Sequence, residues 1–359
     1  MKKNLRIMLF VANLFISFYI VAGIPPGYYN SAAGLAGTQL KTALHNIIKN
    51  HTVYPYSSLE NYYPKTDKKA NGKVWDMYSD IPGGTAPYEF NFTNACGSYN
   101  SEDDCWNKEH SFPQSWFNSL SPMKSDLFHV YPTDGWVNNK RGNLPYGDVG
   151  TADWTSQNGS KVGSCSNSGY SGDVFEPIDS FKGDFARTYF YMAVRYFTES
   201  SGWSGSDMVN GAEPKPWALA VLEAWNILDP VSTKERNRND SVYSLQHNRN
   251  PFIDNPQWVD YIWGDSTSSI SEEDVWFDKP NIYPNPANKK ISVDYYSNRN
   301  ENIEISLFTI AGKEITNKIY NKENNNFSTS IELTNISKGV YFVRFLTKSN
   351  CFISKLVVE

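Results

Sequence analysis

Glu109 and His110 stand side by side, and Asn138, Asn139, Lys140 and Arg141 follow one another further along the chain. A histidine with a near-neutral pKa can take a proton from water at physiological pH. In an extended segment successive side chains point to opposite faces, so Glu109 would turn away from His110 and could ligate a metal at a neighbouring corner. Mg²⁺ takes oxygen ligands, keeps several waters, and is typically held by one or two carboxylates plus substrate phosphate. The Glu109 carboxylate and the Asn138 amide oxygen form a sparse set of that kind. Lys140 and Arg141 could hold phosphate oxygens, Arg141 in bidentate fashion, with Asn139 beside them. A base, hard oxygen ligands and cations are what hydrolysis of a phosphodiester needs. Each feature also has a plain reading: Glu109-His110 as a surface dipeptide, and NNKRGN as a helix end capped by Gly142.

The remaining histidines carry less signal. His45 lies inside the first expected helix, His51 at its end and His247 at the end of a polar helix. Zinc hydrolysis through His110 and His129 lacks a third spaced ligand. Cys96, Cys105 and Cys165 lie in the body and Cys351 in the tail, which allows one disulfide among the first three without saying which.

These residues need a scaffold. Apolar spacing predicts a helix over Tyr28–His51, capped by Asn30 or Ser31. Short strands are expected at Lys73–Ser79 and Asp126–Tyr131, and a helix at Asp134–Lys140 behind Pro132 and Thr133. Residues 150–176, rich in Gly and Ser, read as a surface excursion over the site. Lys182–Ser200, Pro216–Leu228 and Thr233–His247 read as helices, and Trp258–Trp263 closes the body. Residues 265–280 turn to Ser, Glu and Asp, a linker composition. From Asn281 onward a period of two, as in Ile303-Ile305-Leu307 and Tyr341-Val343-Phe345, predicts a small all-β domain.

The ends speak of export. Lys2, Lys3 and Arg6 precede a mostly apolar run to Val21, and Val21-Ala22-Gly23 offers small residues for cleavage, so residues 1–23 read as a signal peptide. A membrane anchor is the other reading, but a spanning helix wants about 20 apolar residues, and Asn13 and Ser17 break this run. Between Ile24 and Gly264, 19 Lys and Arg stand against 26 Asp and Glu, a net of −7. A protein that gathered polyanions by global charge would be basic, so nucleic acid must be met by a local patch helped by metal.

The segments NKEHSFP, Asp126-Leu127 and YPTDGWVNNKRGNLPYG, with YYNSAAGL, KVWDMYSD, FEPIDSFKGDFARTYFYMAVRY and NRNPFIDNPQWVDYIW around them, resemble the bacterial endonuclease I family over about residues 28–264. The resemblance implies secreted nucleases with a ββα-metal (His-Me finger) core and products carrying 5′-phosphate. It implies His110 as general base and Glu109 and Asn138 as the metal ligands; the residues themselves suggest one Mg²⁺ (Ca²⁺ or Mn²⁺ as substitutes), with Asn139, Lys140 and Arg141 as substrate contacts and Arg141 also aiding catalysis. The family has His-Asn after Asp-Leu where this chain has Phe128 and His129, which leaves open whether His129 orients the base. The tail, with IYPNPA at 282–287 and KGVYFV at 338–343, is similar to the C-terminal sorting domains of type IX secretion, which implies export across the outer membrane.

The expected fold is α+β. A mainly helical catalytic domain over 24–264 is followed by a linker over 265–280 and a β-sandwich over 281–359. The expected partners are DNA, with RNA also open, and the type IX machinery, with the protein a monomer. The rival reading is a secreted adhesin or glycan-binding protein, supported by aromatic richness, negative charge and the β tail, in which His110 would be dispensable.

Overall fold

The computed structural model describes residues 23–264, 280–297, 300–309, 313–334, 336–347 and 351–359. The expected signal peptide (all but Gly23) and linker (all but Pro280) lie outside them. Residues 37–264 belong to one compact unit and the tail to a second.

The first unit runs α1 (Gly37–Ile48), α2 (Tyr63–Thr66), β1 (Trp106–His110), β2 (Val130–Asp134), α3 (Gly135–Arg141), β3 (Val149–Thr155), β4 (Lys161–Cys165) and β5 (Asp173–Glu176). It continues with α4 (Asp179–Arg195), β6 (Val209–Asn210), β7 (Glu213–Pro214), α5 (Pro216–Leu228), α6 (Thr233–Gln246), α7 (Pro251–Asp254) and α8 (Trp258–Trp263). The centre is α4, buried at every position from Phe181 to Arg195 and packed by α1, α5 and α7. A helix buried all round must neutralise its charges, and it does. Arg187 bonds Glu235 at 2.6 and 2.9 Å, and Lys182 reaches Asp148, Glu176 and Asp179. At its edge, α6 starts on a capping box in which Ser232 and Glu235 satisfy each other's backbone N–H groups.

Several elements differ from the sequence expectation. The first helix covers only Gly37–Ile48, because Gly34 and Gly37 take φ values of 73° and 52° and break the preceding turn. Lys73–Ser79 forms no strand. Val74 makes a single bridge to Lys68, and Asp76 then turns the chain by accepting the Tyr78 N–H at its side chain. Asp126 does the same at Phe128, so the strand expected at Asp126–Tyr131 begins only at Val130. Residues 150–176, expected as a surface excursion, are largely exposed or half-buried and contain an antiparallel sheet of β3, β4 and β5 that sequence reasoning missed. A disulfide joins Cys96 to Cys105, and Cys165 is free.

The tail comprises β8 (Asn281–Tyr283), β9 (Lys290–Tyr296), β10 (Glu301–Thr309), β11 (Glu314–Lys322), β12 (Asn326–Glu332), β13 (Gly339–Leu346) and β14 (Cys351–Val358). They form two sheets, ordered β12-β9-β8 and β11-β10-β13-β14. Ile291 and Val293 from one sheet share a core with Ile303, Ile305, Leu307, Tyr341, Val343 and Phe345 from the other. The period of two in the sequence is therefore the buried face of each strand.

Candidate active site

The hairpin β1–β2 pairs Glu109 with Tyr131 and His110 with Val130, and α3 follows β2 without a loop. Asp134 ends the strand and caps the helix, its side chain accepting the Val137 N–H at 2.8 Å. Gly135 opens the helix. A Cβ there would collide with the Tyr99 ring and lie 3.2 Å from Asn107 Nδ2, so only glycine lets α3 start this close to β1.

Positions i and i+2 of a strand share a face, and positions j and j+3 of a helix do too. Asn107 and Glu109 therefore meet Asn138 and Arg141. Asn138 Nδ2 donates to Asn107 Oδ1 at 2.7 Å, and Arg141 Nη1 donates to Glu109 Oε1 at 3.0 Å. Tyr78 also donates to Glu109 Oε1, at 2.8 Å, and its own hydroxyl lies 3.0 Å from that of Tyr146. Burial pushes the Glu109 carboxyl above its ordinary range, and Arg141 and Tyr78 draw it back. The bonds from Tyr78 and Arg141 both fall on Glu109 Oε1, and Asn138 bonds Asn107 through its Nδ2.

His110 faces the other way. Its Nε2 lies 2.9 Å from the Lys124 carbonyl oxygen, which can only accept, so Nε2 carries the proton and Nδ1 is the basic lone pair. Burial, then His129 and Lys124 nearby, lowers the His110 pKa to about 3, which keeps the ring neutral. Its ring lies 5.4 Å from those of both Tyr56 and His129.

The expected residues thus fall into three groups. Glu109 and Asn138 stand where β1 faces α3, and His110 lies on the opposite face of β1. Asn139 is exposed and Lys140 half-buried, its ammonium 4.9 Å above the Trp136 ring. Arg141 corrects the expectation of a substrate contact. It is fully buried, and besides Glu109 it donates to the carbonyls of His110 and Ser111. Neighbours on a helix differ by about 100° in direction, so Lys140 at the surface leaves Arg141 facing β1. His129 is also buried, with Nε2 on the Met123 carbonyl at 2.6 Å, so the bond that orients His110 comes from Lys124 instead. Arg187, Arg195 and Arg249 are buried and pair with Glu235, Glu199 and Asp254.

Sequence reasoning missed Tyr78, Asn107 and Asp76. Asp76 accepts the Tyr78 N–H at 2.8 Å and the Asp134 N–H at 2.9 Å, so one carboxyl fixes both the Tyr78 turn and the start of α3. Burial and Asp134 push it up to about 8. Asn107 was within reach of sequence, being two residues before Glu109.

A carboxylate on β1 and an amide on α3 stand on facing positions, and with waters they would make the sparse oxygen set that suits a hard ion such as Mg²⁺. Zinc fits poorly. Among the described residues no three His, Cys, Asp or Glu are grouped to hold a metal.

A hairpin and helix that present a carboxylate and an amide on one face and a neutral histidine on the other offer groups that a hydrolase could use. Comparison with known proteins makes this specific. Residues 36–257 match the Endonuclease I family, and residues 281–359 match a secretion system C-terminal sorting domain. The chain is 38% identical over 245 residues to an extracellular ribonuclease of Bacillus amyloliquefaciens, covering 66% of this chain and 78% of that protein. An extracellular ribonuclease of Bacillus subtilis (strain 168) is 37% identical over the same shares. An extracellular deoxyribonuclease of Aeromonas hydrophila is 23% identical over 60% of this chain and 86% of its own. The chain belongs to the endonuclease I family. It is a secreted or cell-surface nuclease carrying a type IX sorting domain, and the adhesin reading has no support left.

Proposed function

We propose that this protein is a metal-dependent endonuclease that hydrolyses phosphodiester bonds in DNA, and in RNA as well, with little sequence preference. The observation that carries the reading is the His110–Lys124 bond. It assigns the proton to Nε2 and leaves Nδ1 as an unprotonated base one residue from Glu109. His110 Nδ1 takes a proton from a water whose oxygen attacks phosphorus in line. The bond from phosphorus to the 3′-oxygen breaks, and the phosphate stays on the 5′ side. Glu109 Oε2 and Asn138 Oδ1 would hold one Mg²⁺, with Ca²⁺ or Mn²⁺ as substitutes. When bound, that ion supplies positive charge for the phosphorane-like oxygens and the departing oxygen.

Arg141 and Tyr78 hold Glu109 in place, and Asn107 holds Asn138. Loose specificity fits contacts that are made to backbone phosphates, which carry no sequence information. The named relatives include both ribonucleases and a deoxyribonuclease, which supports testing both polymers. The protein acts as a monomer outside the cell, delivered by its signal peptide and its tail.

Plasmid DNA and a long RNA are digested by wild type and by His110→Ala, with and without EDTA. Wild type should cut and EDTA should stop it, while His110→Ala should lose at least a hundredfold. Cleavage by His110→Ala at the wild-type rate would overturn the assignment of the base.

A further inference from the structure

We propose that Lys124 is a phosphate-binding residue for the nucleic-acid strand and that Tyr56 is the platform that sets its ammonium beside His110. The proposal rests on the nuclease reading above.

On β1, Lys108 and His110 share the face opposite to Asn107 and Glu109. Tyr56 covers that face, its ring 5.4 Å from the His110 ring. Two ammonium groups lie over the same ring, Lys108 at 5.1 Å and Lys124 at 5.5 Å. Lys108 is tied to Glu60. Lys124 is half-buried and has no acidic partner among the described residues. Its main chain is pinned to the base, because its own carbonyl accepts the His110 Nε2–H. One residue thus orients the base through its backbone and presents a positive charge next to it.

The surroundings make that charge stand out. The acidic body neutralises its buried cations internally: Arg141 by Glu109, Arg238 by Asp67, Arg249 by Asp254 and Lys182 by three carboxylates. A polyanion must be met by cations that have no such partner. A cleft of about 440 Å³ lined by Tyr56, Glu60, Asn107 and Lys108 adjoins this face, with Glu60 neutralised by Lys108, and Asn107 in its wall is the partner of Asn138.

The backbone role does not depend on the side chain, so the two can be separated. The full-length protein and Lys124→Gln, Lys124→Arg and Tyr56→Leu variants are compared on a labelled 20-nucleotide DNA duplex and its RNA counterpart. KM, kcat and the slope of log kcat/KM against log[NaCl] are read, with thermal melting as the control for folding. Lys124→Gln should raise KM about tenfold, keep kcat within about twofold, and reduce the salt slope by about one. Lys124→Arg should keep the slope, and Tyr56→Leu should move in the direction of Lys124→Gln. An unchanged KM and slope in Lys124→Gln overturns the proposal, as does a loss in kcat alone. If Lys124→Gln melts early, Lys124→Met repeats the test with the stem retained. A wild type that cleaves neither polymer overturns the nuclease reading itself, whereas an inactive His110→Ala beside an unaltered Lys124→Gln overturns only this assignment.

Discussion

Arg141 donates to Glu109 Oε1 at 3.0 Å from a position with no exposed surface, and the same guanidinium donates to the carbonyl of His110 at 2.9 Å. One buried cation therefore holds the expected ligand and the strand that carries the base. Replacing Arg141 with Met leaves the Glu109 carboxylate buried without its partner. Breaking a buried pair in this way should destabilise by about 3–5 kcal/mol. Urea unfolding followed by tryptophan fluorescence measures it, and a loss under about 1 kcal/mol would argue that Glu109 finds water or another donor.

Tyr78 holds the other side of the Glu109 carboxylate oxygen. Tyr78→Phe removes one hydroxyl and keeps the ring. Partners behind a metal ligand typically matter by about 10–100-fold in affinity or activity. The variant should need correspondingly more Mg²⁺ for half-maximal cleavage while its melting temperature changes little. An unaltered Mg²⁺ titration would detach Tyr78 from the site.

Acid should unfold the first unit through a cluster away from the ligands. Asp126 accepts hydrogen bonds from Tyr191 and Tyr196, both at 2.7 Å, and from Gln246 at 2.9 Å. Burial opposes its charge, but His51, His129 and these donors outweigh it and hold its pKa well below the usual range. A depressed carboxylate contributes stability above its unfolded pKa of about 3.9 and loses it as the pH falls towards the folded value. His51 and His129 act in the same sense from a higher pH. Burial lowers both, so below about pH 6.5 the unfolded chain takes up protons that the folded chain refuses. Stability should therefore fall in two stages, below about pH 6.5 and again below about pH 4. Asp126→Asn should lower stability at pH 7 and flatten the second stage in melts taken from pH 3 to 8.

The Cys96–Cys105 disulfide closes a loop of sequence separation 9. On the chain-entropy account, a loop of that size contributes about 2.5 kcal/mol. Cys96→Ser/Cys105→Ser, or reduction of the wild type, should lower stability by about that amount. The mouth of the cleft beside Asn107 should open to proteolysis at the same time, because Cys96 lines it. Equal protease resistance in oxidised and reduced protein would count against this.

Much of this protein is legible in its sequence because the relevant signals are local. The period of two in Ile303-Ile305-Leu307 becomes a buried face, since a strand has one residue per side. The helix start near Asp134 is legible because the signal is local, though Asp134 turns out to be the cap and not the first helical residue. The Glu109-His110 pair and Asn138 stand out by type and spacing together with a resemblance that covers most of the body. What only the tertiary structure decided is long-range. The sequence shows Lys140 and Arg141 as neighbours with equal charge, and folding sends one to the surface and the other under β1. Nothing in the order of residues says that Asp76 ties the Tyr78 turn to α3, that the carbonyl of Lys124 sets the His110 tautomer, or that Tyr56 lies against the base. Those contacts join segments far apart in the chain, and they exist only because burial forces each polar group to find a partner.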